Sequence, residues 1–274
     1  MAELLRVSVK QLEMAYHCPR KWAYHYLEGV PQLEGEALAI GNAVHHDMKC
    51  LITGAPPKYG PESFIGKMCR ELFANYVKNE SGRHQSEIIK LVKLPEYKLQ
   101  VDLRADYLDK PKLKDWKTTG APSPKARLPV VGGGKKFWAL QTLENEFQPN
   151  VYSYLLMRDH WKGITAIPAE WCFVSKKFKD GQTPRTWVVP GVFEWEATKA
   201  WFEKYVVPTA ELIRDMRAAW AEKTLDSARL VPHNPRACEG SGLFCDAAGH
   251  CAFKSSPMMN YSDLQLPAMP EKGR

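Results

Sequence analysis

The stretch Val101–Thr119 constrains this chain more than any other. It reads Val-Asp-Leu-Arg-Ala-Asp-Tyr-Leu-Asp, then Lys-Pro, then Lys-Leu-Lys-Asp-Trp-Lys-Thr-Thr. Val101, Leu103 and Ala105 alternate with Asp102, Arg104 and Asp106, the period of two expected of a half-buried strand. A two-residue turn at Lys110-Pro111 pairs position i with 221 minus i, which sets Asp106 opposite Asp115. Opposite residues of an antiparallel ladder point to one face with Cβ atoms about 4.5–5.5 Å apart. Lys117, two positions along, shares that face. Facing carboxylates repel unless a cation lies between them. Mg2+ or Mn2+ suits such a site, because hard divalent ions prefer oxygen ligands and leave room for water and phosphate oxygens. A nearby lysine can orient or deprotonate an attacking water and offset charge growing on a phosphate.

Around this hairpin the chain divides by pattern. Ser8 with Gln11 forms a capping box that starts a helix carrying Leu12 and Tyr16, and Cys18-Pro19 interrupts it before an aromatic helix, Arg20 to Tyr26. Helices are predicted over Gly41–Cys50, Pro61–Val77 and Pro149–His160. Alternating runs predict strands over Glu87–Leu94, Tyr97–Asp109, Lys112–Thr119, Ala169–Lys176 and Arg185–Val189. A long loop, Gly120 to Phe147, separates the third strand from the helix that follows. Glu194–Lys223 is expected as two helices or one kinked helix, because Pro208 lacks an amide donor. The expected fold class is α/β, an α+β mixed sheet flanked by helices, in one domain over 1–274. Its parts are a helical 1–83, a sheet core 84–193, a helical 194–230 and a cysteine-rich tail 231–274.

Composition narrows the function classes. At 45% hydrophobic and 25% charged residues the chain is an ordinary globular one, neither disordered nor fibrous. It has no apolar run of the length a membrane span needs, and Met-Ala-Glu-Leu-Leu-Arg lacks the pattern of a secretory signal. The expected location is therefore the cytoplasm, with no membrane partner. Thirty-eight Lys and Arg against 31 Asp and Glu leave a formal charge of +7, compatible with a polyanionic partner.

The hairpin resembles the PD-(D/E)XK nuclease superfamily, in the RecB-type branch that includes the CRISPR-associated iron-sulfur exonucleases and many phage exonucleases. Asp115-Trp116-Lys117 resembles the family's D-x-K step and Asp106 the acid before it, with Asp102 as a competitor. The family usually has Gly three residues before that acid, where this chain has Leu103. Gly41-Asn-Ala-Val-His45 resembles the branch's Gly-x-x-x-His step, with His46 beside it, and Gln148-Pro-Asn-Val-Tyr152 resembles its Gln-x-x-x-Tyr motif. Ser8 to Tyr26, with Cys-Pro-Arg-Lys-Trp, resembles its N-terminal Cys-Pro element. The resemblance implies a restriction-endonuclease-like core, a metal held by His45, Asp106 and Asp115, and catalysis assisted by Lys117, Gln148 and Tyr152. It also implies cleavage of a phosphodiester to leave a 5′-phosphate, at DNA ends or single strands, in a bacterial or phage-infected cell.

Cys238, Cys245 and Cys251 lie within 14 residues in a Gly-rich segment that gives them no packing role, which points to a metal site. The resemblance supplies a fourth ligand, Cys18, and a [4Fe-4S] cluster that would tie the first helices to the tail. Family members often have two residues between the first pair of the trio where this chain has six, so Zn2+ with His250 or His233 remains an alternative. Cys50, Cys69 and Cys172 sit in apolar elements and read as buried hydrophobes.

The loop after the hairpin holds Lys125, Arg127, three glycines at 132–134, Lys135, Lys136 and Trp138. Positive charge, a ring and flexible backbone suit single-stranded DNA, with Lys135, Lys136 and Trp138 as substrate-binding candidates. The expectation is a metal-dependent deoxyribonuclease with an iron-sulfur staple. The alternative is a non-catalytic nucleic-acid-binding adaptor that keeps the fold.

Overall fold

A computed structural model describes residues 4–32, 35–78, 85–109, 111–120, 127–129, 135–137, 143–234 and 251. Its centre is a six-stranded mixed sheet with strands β1 (Leu5–Ser8), β2 (Gln85–Leu94), β3 (Leu99–Asp109), β4 (Lys112–Thr119), β7 (Ala166–Ser175) and β8 (Thr186–Glu194). The order is β1-β3-β4-β7-β8, with β2 paired to β3. β1 runs parallel to β3 and β4 parallel to β7, while the other pairs are antiparallel. A separate two-stranded ribbon joins β5 (Arg127–Pro129) to β6 (Lys135–Phe137). The helices are α1 (Val9–His17), α2 (Pro19–Tyr26), α3 (Glu36–Thr53), α4 (Phe64–Tyr76), α5 (Phe147–Leu155) and α6 (Trp195–Ala221). This is the mixed α/β architecture expected of a restriction-endonuclease-like core. Among the described residues no helix is long and apolar enough to cross a membrane.

The local chemistry explains most element boundaries. Ser8 caps α1 through its hydroxyl, which accepts the amide of Gln11 at 3.2 Å, and Pro19 opens α2 at a position that needs no amide donor. Ser63 caps α4 in the same way, accepting the amide of Gly66. Gly54 ends α3 in the left-handed conformation, φ 74°, which glycine adopts at no steric cost. The aromatic α2 buries Trp22, Ala23 and Tyr24.

Several elements depart from the sequence reading. The four-residue β1 is a strand that sequence did not predict, and α3 begins five residues earlier than expected. β8 runs on to Glu194, through Pro190. Proline is tolerated there because β8 is an edge strand, paired to β7 alone. Of the two alternatives expected for Glu194–Lys223, α6 is one helix of 27 residues with Pro208 inside it, not two helices. Its packing along the core outweighs the lost hydrogen bond: Phe202, Val206, Ala210 and Ile213 are all buried. After α5 the chain makes one wide turn, Leu156–His160, before β7.

Two apolar cores meet at the sheet. The larger gathers α1, α2, α5 and α6 with Leu113, Ala169, Trp171 and Phe173. The smaller gathers α3 and α4 with Trp116, Cys172 and Val174. Along β4 and β7, therefore, odd positions face the larger core and even positions the smaller, as strand alternation requires.

Candidate active site

The turn between β3 and β4 gives the register in which i faces 221 minus i: Asp109 with Lys112, Leu108 with Leu113, Tyr107 with Lys114. There the ladder stops. From Leu113 onward β4 is held on its other side by β7, Asp115 beside Trp171 and Lys117 beside Phe173. β3 and β4 therefore part just where Asp106 would face Asp115. The amide of Trp116, which the ladder no longer uses, donates instead to Asp106 Oδ2 at 3.2 Å. A ladder bond has been replaced by one to a carboxylate, which fixes that carboxylate at the mouth of the cleft.

Helix α3 closes the cleft. A Cβ at Gly41 would stand 3.7 Å from Thr118 Oγ1, so the helix backbone passes close to β4 at this point. One turn on, His45 Nδ1 lies 2.9 Å from Asp106 Oδ2. His46 points elsewhere, to Asp47 Oδ1 at 3.1 Å. Asp47 is fully buried and accepts the amides of Lys58 and Tyr59, a structural duty. Asp102 is engaged by Arg6 through two 3.2 Å bonds, away from the cleft.

From the other side, α5 supplies Gln148 and Tyr152. Asn150 pins the start of this helix by donating to the carbonyls of Glu144 and Glu146. Lys117 Nζ donates to Gln148 Oε1 at 2.9 Å, and Gln148 Nε2 donates to the Tyr152 hydroxyl at 3.0 Å. Lys117 also pairs with the Asp115 carboxylate and lies 5.7 Å from the centre of the Trp171 ring. The five side chains Asp106, Asp115, Lys117, Gln148 and Tyr152 thus form one continuous chain of polar contacts, with His45 at its end.

The electrostatics follow from burial. Asp115 is 2% exposed, so desolvation pushes its carboxyl up; Lys117 opposes this, and the neighbouring charge of Asp106 reinforces it. Asp106 is also pushed up by burial, but the hydrogen bond and charge of His45 more than offset that and hold it well below the usual carboxylate range. Burial lowers His45, and its bond to Asp106 overcomes this and raises it. Burial lowers Lys117 too, yet Asp115 raises it further, so the side chain keeps its proton. Burial holds the Tyr152 hydroxyl far above its ordinary range, leaving it a neutral donor and acceptor.

Two carboxylates and an imidazole nitrogen within one cleft form a donor set that suits Mg2+ or Mn2+. Among the described residues no three His, Cys, Asp or Glu side chains stand in ligand geometry. At this cleft His45 and Lys117 engage oxygens of the two carboxylates. The donor types fit such a cation.

Sequence reasoning missed Glu13. Its carboxyl is raised by burial, lowered by Lys117 and raised by Glu146, and its charge is felt at both Lys117 and Tyr152. The available signal was a carboxylate on the apolar stripe of α1, four residues after buried Val9 and three before Tyr16, which packs against the core.

The other candidates are placed unevenly. Lys135 and Lys136 lie on β6, though their side chains are outside the described residues, as is Trp138 altogether. Cys18 occupies the N-cap position of α2 without a side-chain capping bond, and Cys251 stands against the same helix, its Sγ 3.8 Å from Arg20 Nη1. Cys238, Cys245 and His250 lie outside the described residues. His233 is buried near Arg20, whose nearby charge, after burial itself, keeps the imidazole below its usual range. Cys69 and Cys172 are buried, whereas Cys50 is half-buried with Sγ 3.9 Å from His46 Nδ1.

Comparison with known proteins agrees with this architecture. Residues 6–97 match the model of the PD-(D/E)XK nuclease superfamily, a match that ends before Asp106. Among solved structures, a "Putative exonuclease" from Eubacterium rectale is similar at TM-score 0.51 and 16% identity, covering 94% of this chain and 92% of that one. The protein SSO0001 gives TM-score 0.39 and 11% identity over 92% of this chain and 88% of that one, too distant a likeness to argue from. No curated protein matches.

Proposed function

We propose that this chain, similar in fold and over residues 6–97 to the PD-(D/E)XK nuclease superfamily, is a metal-dependent deoxyribonuclease acting on DNA ends or single strands. The family match supports a nuclease. The observation that carries the finer reading is the meeting of His45, Asp106, Asp115 and Lys117 where β3 and β4 part, with Lys117 handed on to Gln148.

In this reading His45, Asp106 and Asp115 hold Mg2+ or Mn2+. When bound, the cation supplies Lewis acidity toward the non-bridging oxygens of the phosphodiester. Lys117 Nζ, fixed between Asp115 and Gln148, orients the attacking water and offsets charge that builds on the phosphate. Gln148 is itself held by the Tyr152 hydroxyl, which fixes the amide oxygen that accepts from the lysine. Attack by water on phosphorus leaves a 5′-phosphate and a 3′-hydroxyl.

We further propose that Cys18, Cys238, Cys245 and Cys251 hold a [4Fe-4S] cluster as a structural staple. Supporting this, Cys251 stands beside Arg20, which is 4% exposed and donates to the carbonyl of Val231, so the tail returns to the helix whose N-cap position Cys18 occupies. A zinc ion completed by His250 or His233 is the competing occupant, and iron and zinc analysis of protein prepared without oxygen distinguishes them.

The decisive experiment uses single-stranded and duplex DNA labelled at either end, with Mn2+ or Mg2+. Metal-dependent degradation should fall by on the order of a thousandfold in Asp115→Ala and Lys117→Ala. Cleavage at parental rate in either variant would overturn the assignment. The label released first gives the polarity.

A further inference from the structure

Beyond the catalytic strands lies an aromatic pair that the proposed chemistry does not use. Phe64, at the start of α4, stacks on Phe178, in the turn after β7, with ring centres 4.8 Å apart and planes within 5°. Phe178 packs against the smaller core, but Phe64 remains 41% exposed. The pair thus keeps Phe64 stacked on one side and open to solvent on the rest.

Its surroundings are basic. Lys67 lies one turn along α4, and Lys176, Lys177 and Lys179 bracket Phe178. None of these four forms an ion pair among the described residues. The acids close by in sequence are Glu62, Glu71 and Asp180; Glu71 lies one helical turn from Lys67, and Arg70 already holds Glu62 at 2.8 Å.

The turn is also rigid. The amide of Lys176 donates to Thr119 O at 2.8 Å, that of Lys177 to Ser175 Oγ, and that of Gln182 to Lys179 O, with Gly181 at φ 78° closing the bend. The first of these bonds ties the turn to the end of β4, the strand that carries Asp115 and Lys117. Phe178 lies five residues beyond Phe173, the neighbour of Lys117 on β7. At about 3.3 Å per residue, the two are no more than about 17 Å apart along the chain. At 3.4 Å per nucleotide that is at most about five stacked nucleotides.

We infer that Phe64 and Phe178 form a stacking platform for a base of single-stranded DNA, whose phosphates meet Lys67, Lys176, Lys177 and Lys179 on the way to the cleft. A π-face accepts any base and lysines bind any phosphate, so the platform sets strand position and not sequence. Occupancy by single-stranded DNA rests on the nuclease reading, and charge complementarity is what selects this partner.

The test measures binding of fluorescein-labelled oligo-dT to the full-length protein in Ca2+ over a range of salt. Phe64→Leu and Phe178→Leu keep apolar volume and remove the ring, and each should weaken binding about tenfold, while Phe64→Tyr should retain it. Lys177→Gln with Lys179→Gln should flatten the logarithmic salt dependence by roughly 0.7 for each phosphate that is no longer neutralised. Parental affinity in both leucine variants would overturn the platform, making the pair a packing contact only. Metal-dependent DNA cleavage without oligo-dT binding would sink the platform and leave the nuclease standing. Ring-dependent oligo-dT binding in a protein that cuts no DNA would do the reverse.

Discussion

At the scale of single residues, the cleft separates what a side chain touches from what it does. Gln148 makes no contact with either carboxylate, yet it bonds both Lys117 and Tyr152. Removing it leaves a half-buried ammonium with one hydrogen bond fewer, and a bond to a charged group is worth at most about 1.5–3 kcal/mol. Gln148→Ala should therefore lower kcat roughly tenfold to hundredfold, with smaller change in KM, in steady-state assays on labelled DNA; an unaltered kcat would detach this helix from the chemistry. The hairpin was legible because both strands and their turn lie within 21 consecutive residues, and register follows from turn length. Glu13 was not, since only folding brings α1 to Lys117 across a hundred residues. Of the cysteines, Cys69 is 1% exposed with its thiol pushed up to about 12, and Cys172 is raised further, both by burial first. Iodoacetamide at pH 8 should leave both untouched in the native protein and label both in urea, as read by peptide mass spectrometry. Labelling of either in the native state would mean that the smaller core opens.

At the scale of elements, the strongly patterned ones were legible and the ones defined by neighbours were not. β4 falls where alternation puts it, whereas β1 is four residues long and exists because the edge of β3 from Leu99 to Asp102 accepts it. At Pro208 propensity left two helices or one kinked helix open, and the flanks of α6 are buried deeply enough to carry a single helix through. Proline inside a helix costs about 3 kcal/mol, part of which is recoverable. Pro208→Ala should raise stability by about 1–3 kcal/mol in urea titrations; a decrease would show that a bend at this site is needed to bring Tyr205 against Tyr16. Gly66 gives the opposite case. Glycine inside a helix normally gains from replacement by alanine, but a Cβ here would meet Gly60 O at 2.0 Å. That neighbour is backbone in a turn whose carbonyl already accepts the Ser63 hydroxyl at 2.6 Å, so it has little freedom to move. Gly66→Ala should destabilise by about 1–3 kcal/mol, and a stabilised variant would mean that the turn is looser than its bonds suggest.

At the scale of the whole molecule, the cleft lies where the two cores meet. Trp116, 1% exposed, fills the smaller core between Asp115 and Lys117, which face the larger one. Strand alternation thus forces carboxylate and ammonium out of one core and into the polar seam, where the parting of β3 and β4 leaves space for them. The same arrangement burdens the fold: a buried carboxylate beside a partly buried one costs desolvation and repulsion that His45 and Lys117 offset in part. A divalent cation would offset them further, and only in the folded chain, because the unfolded chain does not hold these groups together. By mass action a ligand at a hundred times its Kd adds about 2.7 kcal/mol of stability. Mn2+ or Mg2+ at millimolar concentration should therefore raise the melting temperature of the parent protein, measured by calorimetry without DNA. In Asp106→Ala, which removes one of the two carboxylates, that increment should vanish even if the variant melts at a different temperature. An equal increment in parent and variant would put the cation elsewhere on the molecule, and no increment in the parent would mean that the paired carboxylates serve without one.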